Sequence, residues 1–317
     1  MIKTRASEIL NIKYPILMGG MVWVSNSELT AAVSNAGGLG VIGVGLMDQD
    51  TLVKEIDAAF AKTDKPFGIS FPLARPDYEM MLSAALEKGV KVVVTSAGNP
   101  AKAANLLQSA GVVSIHVVAN VKMAQKVQDL GYTMVVAEGY EAGGHNGRDE
   151  ITTMALIPQV VDAVDIPVIA AGGIADSRGM VAAFALGAEA IQMGTRFAAT
   201  LESPLHENFK QAILNASDTD TVITGRKFND LTRVIKNKLS QEILEAESAG
   251  TDPNQILDMI GIGRTYKASV EGDVVDGSVM SGQIAGMIRE LKSVQHIVNE
   301  LVSGLQPVMH TVSQRLL

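Results

Sequence analysis

Cysteine is absent from the 317-residue chain. That excludes disulfides, thiolate metal ligands and a cysteine nucleophile. Aromatic residues are scarce, at 4% with one tryptophan, which argues against the stacking platforms that bind single-stranded nucleic acids. Positive charge is in deficit: 26 lysines and arginines face 34 aspartates and glutamates, a formal net charge of -8. No basic face for a nucleic acid is expected, although backbone N–H groups at helix N-termini can still hold a phosphorylated ligand. No apolar run approaches the roughly 18 residues that span a bilayer. The basic start Met1-Ile2-Lys3-Thr4-Arg5 is not followed by the apolar stretch and small-residue cleavage site of a secretory signal. Neither nucleic acid nor membrane is expected as a partner, and a cytoplasmic location follows as the default. None of the five histidines has ligand-like spacing to another, so no catalytic metal is expected.

What the chain has is a repeat. Short apolar runs rich in β-branched residues occur at Pro15–Met18, Leu39–Val44, Phe67–Phe71, Val92–Thr95, Val113–Val118, Met134–Glu138, Val168–Ala171 and Ala190–Met193. Amphipathic stretches lie between them: Ser27–Asn35, Leu52–Phe60, Tyr78–Glu87, Ala101–Ser109, Met123–Leu130, Thr153–Val164 and Arg178–Leu186. Several stop at a glycine, among them Gly89, Gly111, Gly131 and Gly187. Nearly continuous apolar strands fit a parallel sheet covered on both faces. Eight repeats favour a closed TIM (β/α)8 barrel over a doubly wound sheet, which usually has fewer strands. After Arg196 the alternation ends. Residues 203–275 read as a helical excursion over the barrel mouth, broken at Asp252-Pro253-Asn254. Residues 1–202 plus 276–317 then form the barrel and a closing helix, roughly Gly286–Val302.

Barrel ligands sit at the C-terminal ends of the strands. The segments found there are rich in glycine: Gly19-Gly20-Met21, Gly43-Val44-Gly45, Ser96-Ala97-Gly98-Asn99, Gly139 to Gly147, Gly172-Gly173 and Gly194-Thr195. Glycine permits positive φ and close backbone approach to a flat ligand. The pair Gly172-Gly173 and Gly194-Thr195 follows the seventh and eighth strands, the usual phosphate corner of this fold; each alone is also what a tight turn needs. Gly43-Val44-Gly45 lacks the third glycine and acidic residue of a dinucleotide fingerprint and reads as a barrel loop. His145 stands in one of these loops, where an imidazole can exchange protons near neutral pH; the alternative is a surface histidine without a role. His116 lies in an apolar strand and reads as packed, and His206, His296 and His310 as solvent-facing. Glu138 ends a strand, placed either to accept from a ligand hydroxyl or to pair with a nearby cation.

Together these residues resemble the superfamily of nitronate monooxygenases and FMN-dependent (class II) enoyl-acyl-carrier-protein reductases. The matching stretches are Pro15–Val24, Ala36–Gly40, Lys65–Gly68, Ala97–Pro100, Glu138–His145, Ala170–Asp176, Met193–Phe197 and Asp276–Gly286. The resemblance implies an FMN-binding barrel. Gly19, Gly20 and Met21 would face the flavin ring, with Ser70 and the backbone of Gly143 and Gly144 nearby. Glu138 would touch the ribityl chain, and Gly172, Gly173, Gly194 and Thr195 would hold the phosphate. Ser281 and Gln283 would return beside the flavin. His145 would be the catalytic histidine, with Ser96, Ala97 and Asn99 toward substrate. Ser70 departs from the asparagine usual at its position, which shortens that contact. The leading expectation is an NAD(P)H-dependent enoyl-thioester reductase, acting on a small-molecule or acyl-thioester substrate with an acyl carrier protein as an open partner. Oxidation of nitronates with O2 and NADH:quinone reduction are the alternatives. Apolar residues of the excursion need either the barrel or a second copy to cover them, which leaves a homodimer open.

Overall fold

The computed structural model describes residues 2–228, 230–261 and 263–316. Among these the chain forms eleven strands: β1 (Ile16–Met18), β2 (Gly40–Gly43), β3 (Phe67–Pro72), β4 (Val92–Ser96), β5 (Val113–Val118), β6 (Met134–Glu138), β7 (Gly144–His145), β8 (Val168–Ala171), β9 (Ala190–Met193), β10 (Thr221–Thr224) and β11 (Thr232–Ile235). Eight run parallel in the order β1-β9-β8-β6-β5-β4-β3-β2. The ring closes where Leu17 bridges Leu39, with Met18 N–H donating to Leu39 O and Leu39 N–H to Ile16 O, both at 2.9 Å. The expected TIM barrel is the observed fold.

Strand alternation sorts the core into two layers. Leu17, Val41, Val94, Ile115, Val136 and Ile169 fill the barrel interior. Their neighbours Ile16, Ile42, Ile69, Val93, Val135 and Ile191 face outward to the helices. Each such fully buried side chain contributes about 1.5–3 kcal/mol. Several of the helices start on side-chain caps: Asn26, Asp48 and Asn120 accept N–H bonds from Leu29, Thr51 and Met123 at 3.0, 2.8 and 2.9 Å. A cap of this kind is worth about 0.5–2 kcal/mol. A short first helix, Arg5–Leu10, which periodicity does not reveal, plugs the lower end, with Ala6 and Leu10 joining the interior cluster.

Two expectations need correction. The excursion is not all helical. Besides the helices Glu207–Asn215, Lys238–Ala249, Pro253–Ile260 and Arg264–Ser269, it contains the antiparallel hairpin β10–β11, with Val222 opposite Val234, and β11 pairs with β7 in the loop after β6. The expected helix Gly286–Val302 divides as well. A 3₁₀ turn covers Gln283–Met287, a helix capped by Ser293 runs Val294–Ser303, and a further helix, Leu305–Leu316, forms what read as a tail. No helix among the described residues is long and apolar enough to cross a membrane.

Candidate active site at the barrel mouth

The interior changes character toward the C-terminal ends of the strands. Two residues beyond the inward Val94, Val136 and Ala190, the same alternation turns Ser96, Glu138 and Gln192 inward, and Ser70 follows on β3, where Ile69 faces out. An apolar core thus ends in a polar floor. Gln192 was not anticipated from the sequence, although a polar residue inside the run Ala190–Met193 is its local signal. It is buried, and its amide lies 3.4 Å from where a methyl group on Gly19 would stand.

Above this floor the loops pack backbone to backbone. A methyl group on Gly20 would lie 2.3 Å from Ser70 Cβ, and one on Gly43 only 2.6 Å from Met21 O. Ser70 therefore packs directly on Gly20. The turn Gly19–Ser25 is fixed by Ser25, whose hydroxyl accepts from Met21 N–H at 3.0 Å and donates to Gly19 O at 3.1 Å. Met21 Sδ lies 3.5 Å from a methyl position on Gly194, which brings the ends of β1 and β9 together.

The corner beyond β8 and β9 has the character of an anion cradle. Gly172 and Gly173 take φ of 88° and 71°, values that side chains rarely adopt. Among the described residues the N–H groups of Gly173, Gly194 and Thr195 have no protein acceptor. The segment Ser281-Gly282-Gln283 crosses beside them. Gly282 N–H donates to Thr195 Oγ1 at 2.9 Å and Gln283 N–H to Glu141 O at 3.0 Å. A methyl group on Gly143 would lie 2.5 Å from Gly282 N. The Ser281 hydroxyl is buried without a partner. The Glu141 carboxylate accepts from both the N–H and the hydroxyl of Thr153 at 2.9 Å, and its Oε1 lies 3.4 Å from a methyl position on Gly173.

His145 stands over the mouth on β7. Its Nδ1 lies 2.8 Å from Asp230 Oδ1 and 3.2 Å from Thr232 Oγ1. The side chain is 64% exposed although mouth atoms surround it, as expected of a ring standing in an open concavity. The hydrogen bond to Asp230 holds the imidazole pKa above its ordinary value, against the effect of burial, with the charges of Asp230 and Glu138 adding to the rise. The same bond holds Asp230 low. Glu138 is pushed up to about 7 by burial, opposed by His145. Beside it, Tyr140 is fastened from the excursion: Arg233 donates to its carbonyl at 2.8 and 3.1 Å and lies over its ring at 4.9 Å, while Arg226 donates to its hydroxyl at 2.5 Å. Asp230, Thr232, Arg226 and Arg233 have no sequence signal, because their meaning comes from pairing with a loop some 85 residues away.

Of the substrate-side candidates, Ser96 belongs to the floor and Ala97 takes φ of 46°. Asn99 is committed elsewhere, its oxygen accepting from Ala101 N–H at 3.2 Å and from Lys126 at 2.8 Å. His116 is packed as expected, its Nδ1 2.6 Å from Thr95 Oγ1 and its pKa pushed down to about 4 by burial. His206, His296 and His310 are exposed. A separate cavity of about 290 Å³ lies between Asp176, Arg196 and Glu300, and none of its lining belongs to the cradle.

A polar floor, a glycine-lined rim and one histidine above them define a barrel enzyme that works on a ligand laid across its mouth. The family model described as nitronate monooxygenase matches residues 3–304. FabK from Thermotoga maritima is 45% identical, with a TM-score of 0.95 over 99% of this chain and 100% of that one. A probable nitronate monooxygenase of Staphylococcus saprophyticus is 31% identical over 98% of this chain and 99% of its own length. A (3aS,4S,5R,7aS)-5-hydroxy-7a-methyl-1-oxo-octahydro-1H-indene-4-carboxyl-CoA dehydrogenase of Mycobacterium tuberculosis is 30% identical over 98% of each chain. The chain is an oxidoreductase of a flavin-dependent kind. It belongs to the nitronate monooxygenase family.

Proposed function

We propose that this protein is an NAD(P)H-dependent, FMN-containing reductase of enoyl thioesters. The observation that carries the choice of substrate is the likeness to FabK, 45% identical over essentially the whole chain, against 31% for the nitronate monooxygenase relative. The coenzyme A thioester in the name of the Mycobacterium tuberculosis relative supports the same substrate class.

The residues present fit FMN. Three N–H groups without acceptors, at Gly173, Gly194 and Thr195, suit its phosphate. The Thr195 hydroxyl accepts from Gly282, so its own proton is free to donate to the same group. Glu138 accepts no protein hydrogen bond among the described residues and suits a ribityl hydroxyl. Gly19, Gly20 and Met21, whose loops leave no room for side chains at Gly20 and Gly43, suit the ring. Bound there, FMN would supply two-electron chemistry, taking a hydride from NADH or NADPH and delivering one to the β-carbon of the enoyl group.

The protein's part is protonation and exclusion. Hydride addition leaves an enolate, an anion that needs one proton. His145, whose pKa is held up first by the Asp230 hydrogen bond, is placed to stabilise that charge and donate the proton. A protonated imidazole equally suits a nitronate anion. The nitronate monooxygenase reading therefore stands second, favoured by the family description and the Staphylococcus relative.

The test supplies purified enzyme with NADH or NADPH and either crotonyl-coenzyme A or a crotonyl carrier protein, and identifies the product by mass. A saturated thioester formed in step with nucleotide oxidation supports the reading. Nucleotide-independent consumption of a nitronate with O2, and no saturated product, contradicts it.

A further inference from the structure

We propose that Asp230, which belongs to the excursion and not to the barrel, is a positioning residue that fixes the tautomer and orientation of His145. The hairpin β10–β11 is on this account part of the proton-donating apparatus. The inference rests on the reading of His145 as the proton donor.

His145 sits in a loop poorly able to hold a ring by itself. Gly143, Gly144 and Gly147 surround it, and glycine gives the backbone freedom that must be removed by outside contacts. Apart from the crossing of Ser281-Gly282-Gln283 at Gly143, those contacts come from one segment. Thr232 is the register partner of His145 and Arg233 that of Gly144, and Asn146 N–H donates to Leu231 O at 2.8 Å. The ring's hydrogen-bond partners are Asp230 and Thr232, from the same few residues. Backbone and imidazole of the loop are thus held together by the start of β11.

The chemistry of the partner sets the tautomer. An ionised carboxylate only accepts, so Asp230 at 2.8 Å requires a proton on Nδ1. The Thr232 hydroxyl can donate or accept and adapts to that choice. Nε2 is then the nitrogen left for the substrate, protonated when the ring is charged. The charged groups acting on the pair are few: Asp230 and Glu138 on the ring, and Arg148 on Asp230. Both carboxylates favour the imidazolium, and the bond to His145, with Arg148 adding, holds Asp230 low. Asp230 hydrogen-bonds no cradle residue, so it acts through His145. The hairpin itself is anchored by Arg233 on the Tyr140 carbonyl and by Arg226 on both the Tyr140 hydroxyl and Glu150, which holds Asp230 in register with the barrel.

The experiment uses FMN-loaded enzyme carrying Asp230→Asn, with Asp230→Glu as the conservative control. The direct readout is the titration of His145 by NMR of histidine-labelled protein, its signal assigned by loss in His145→Gln. The wild-type ring is expected to titrate above the ordinary value near 6.5 and the Asp230→Asn ring at or below it. In turnover with NADPH and crotonyl-coenzyme A, kcat is expected to fall about 10- to 100-fold at pH 8 and much less at pH 6, with KM little changed. FMN content should stay at the wild-type level, and Asp230→Glu should recover part of the high-pH rate. An unshifted His145 titration overturns the proposal, as does an equal loss at every pH accompanied by loss of FMN. A shifted titration in an enzyme that never reduces the thioester keeps Asp230 as the positioning residue and removes the reductase reading instead.

Discussion

Single atoms decide several properties of the mouth. Gly20 is tested by its own missing side chain. Gly20→Ala places a methyl group 2.3 Å from Ser70 Cβ, an overpacking that costs about 1–3 kcal/mol. The expected result is weaker FMN retention and a lower Tm, with both recovered in the double variant Gly20→Ala/Ser70→Gly. Glu138 and His116 make a paired prediction about pH. Glu138 rises from an ordinary 4.5 to about 7 in the folded state. The folded chain then binds more protons than the unfolded one between those values, and stability falls as pH rises through them. His116 drops from 6.5 to about 4, so its contribution is present above 6.5 and lost as pH falls toward 4. The two slopes oppose each other from 4.5 to 6.5. His145, raised, adds little slope well below 6.5 and acts in the same sense as Glu138 as pH rises through that value. In FMN-free protein, Glu138→Gln should raise stability at pH 8 by at most about 3 kcal/mol, less to the extent that water reaches the half-buried carboxyl, and leave it unchanged at pH 4. The remaining acid sensitivity between 6.5 and about 5 should then be mainly that of His116, before lowered carboxylates such as Asp230 begin to bind protons. Urea unfolding at the two pH values reads both effects, and an unchanged midpoint at pH 8 would contradict the assignment of Glu138.

Elements show which parts of the molecule can be read locally. The eight barrel strands were legible because each is a short, mostly apolar run, and all seven amphipathic stretches start and end within a few residues of their helices because each carries the helical period. Arg5–Leu10 was not legible. Six residues with Arg5 and Glu8 exposed carry too short a period, and only the barrel floor gives Leu10 something to bury against. The strands Thr221–Thr224 and Thr232–Ile235 were hidden among helical patterns because each is four residues long and stable only as a hairpin with β7. The candidate site divides along the same line. Its glycines are dictated by local backbone geometry and were visible, as was His145, whereas Asp230 and Arg233 acquire a role only through distant pairing. Arg233→Met tests the hairpin as an element. It removes two hydrogen bonds to Tyr140 O and the charge over its ring. Amide exchange in 221–235 and 140–146 should quicken while exchange in the barrel strands stays unchanged. Equal acceleration across the whole chain would mean that the hairpin does not open as a unit.

At the scale of the whole molecule, an acidic chain without cysteine builds a barrel whose interior is apolar below and polar above, with Ser70, Ser96, Glu138 and Gln192 at the boundary. The excursion contributes side chains around His145 and Tyr140 above that boundary, and the segment Ser281-Gly282-Gln283 crosses the corner proposed for the phosphate. The central claim is that this mouth carries a flavin whose electrons go to an enoyl thioester with His145 supplying the proton. The most direct measurement is anaerobic stopped-flow absorbance of the flavin-loaded enzyme, first mixed with NADPH or NADH and then with crotonyl-coenzyme A, beside His145→Gln. The account predicts rapid bleaching by the nucleotide in both proteins, and rapid reoxidation by the thioester in the wild type only, slowed about 100-fold or more in the variant. Bleaching by a nitronate and not by either nucleotide, or reoxidation equally fast without His145, would contradict it.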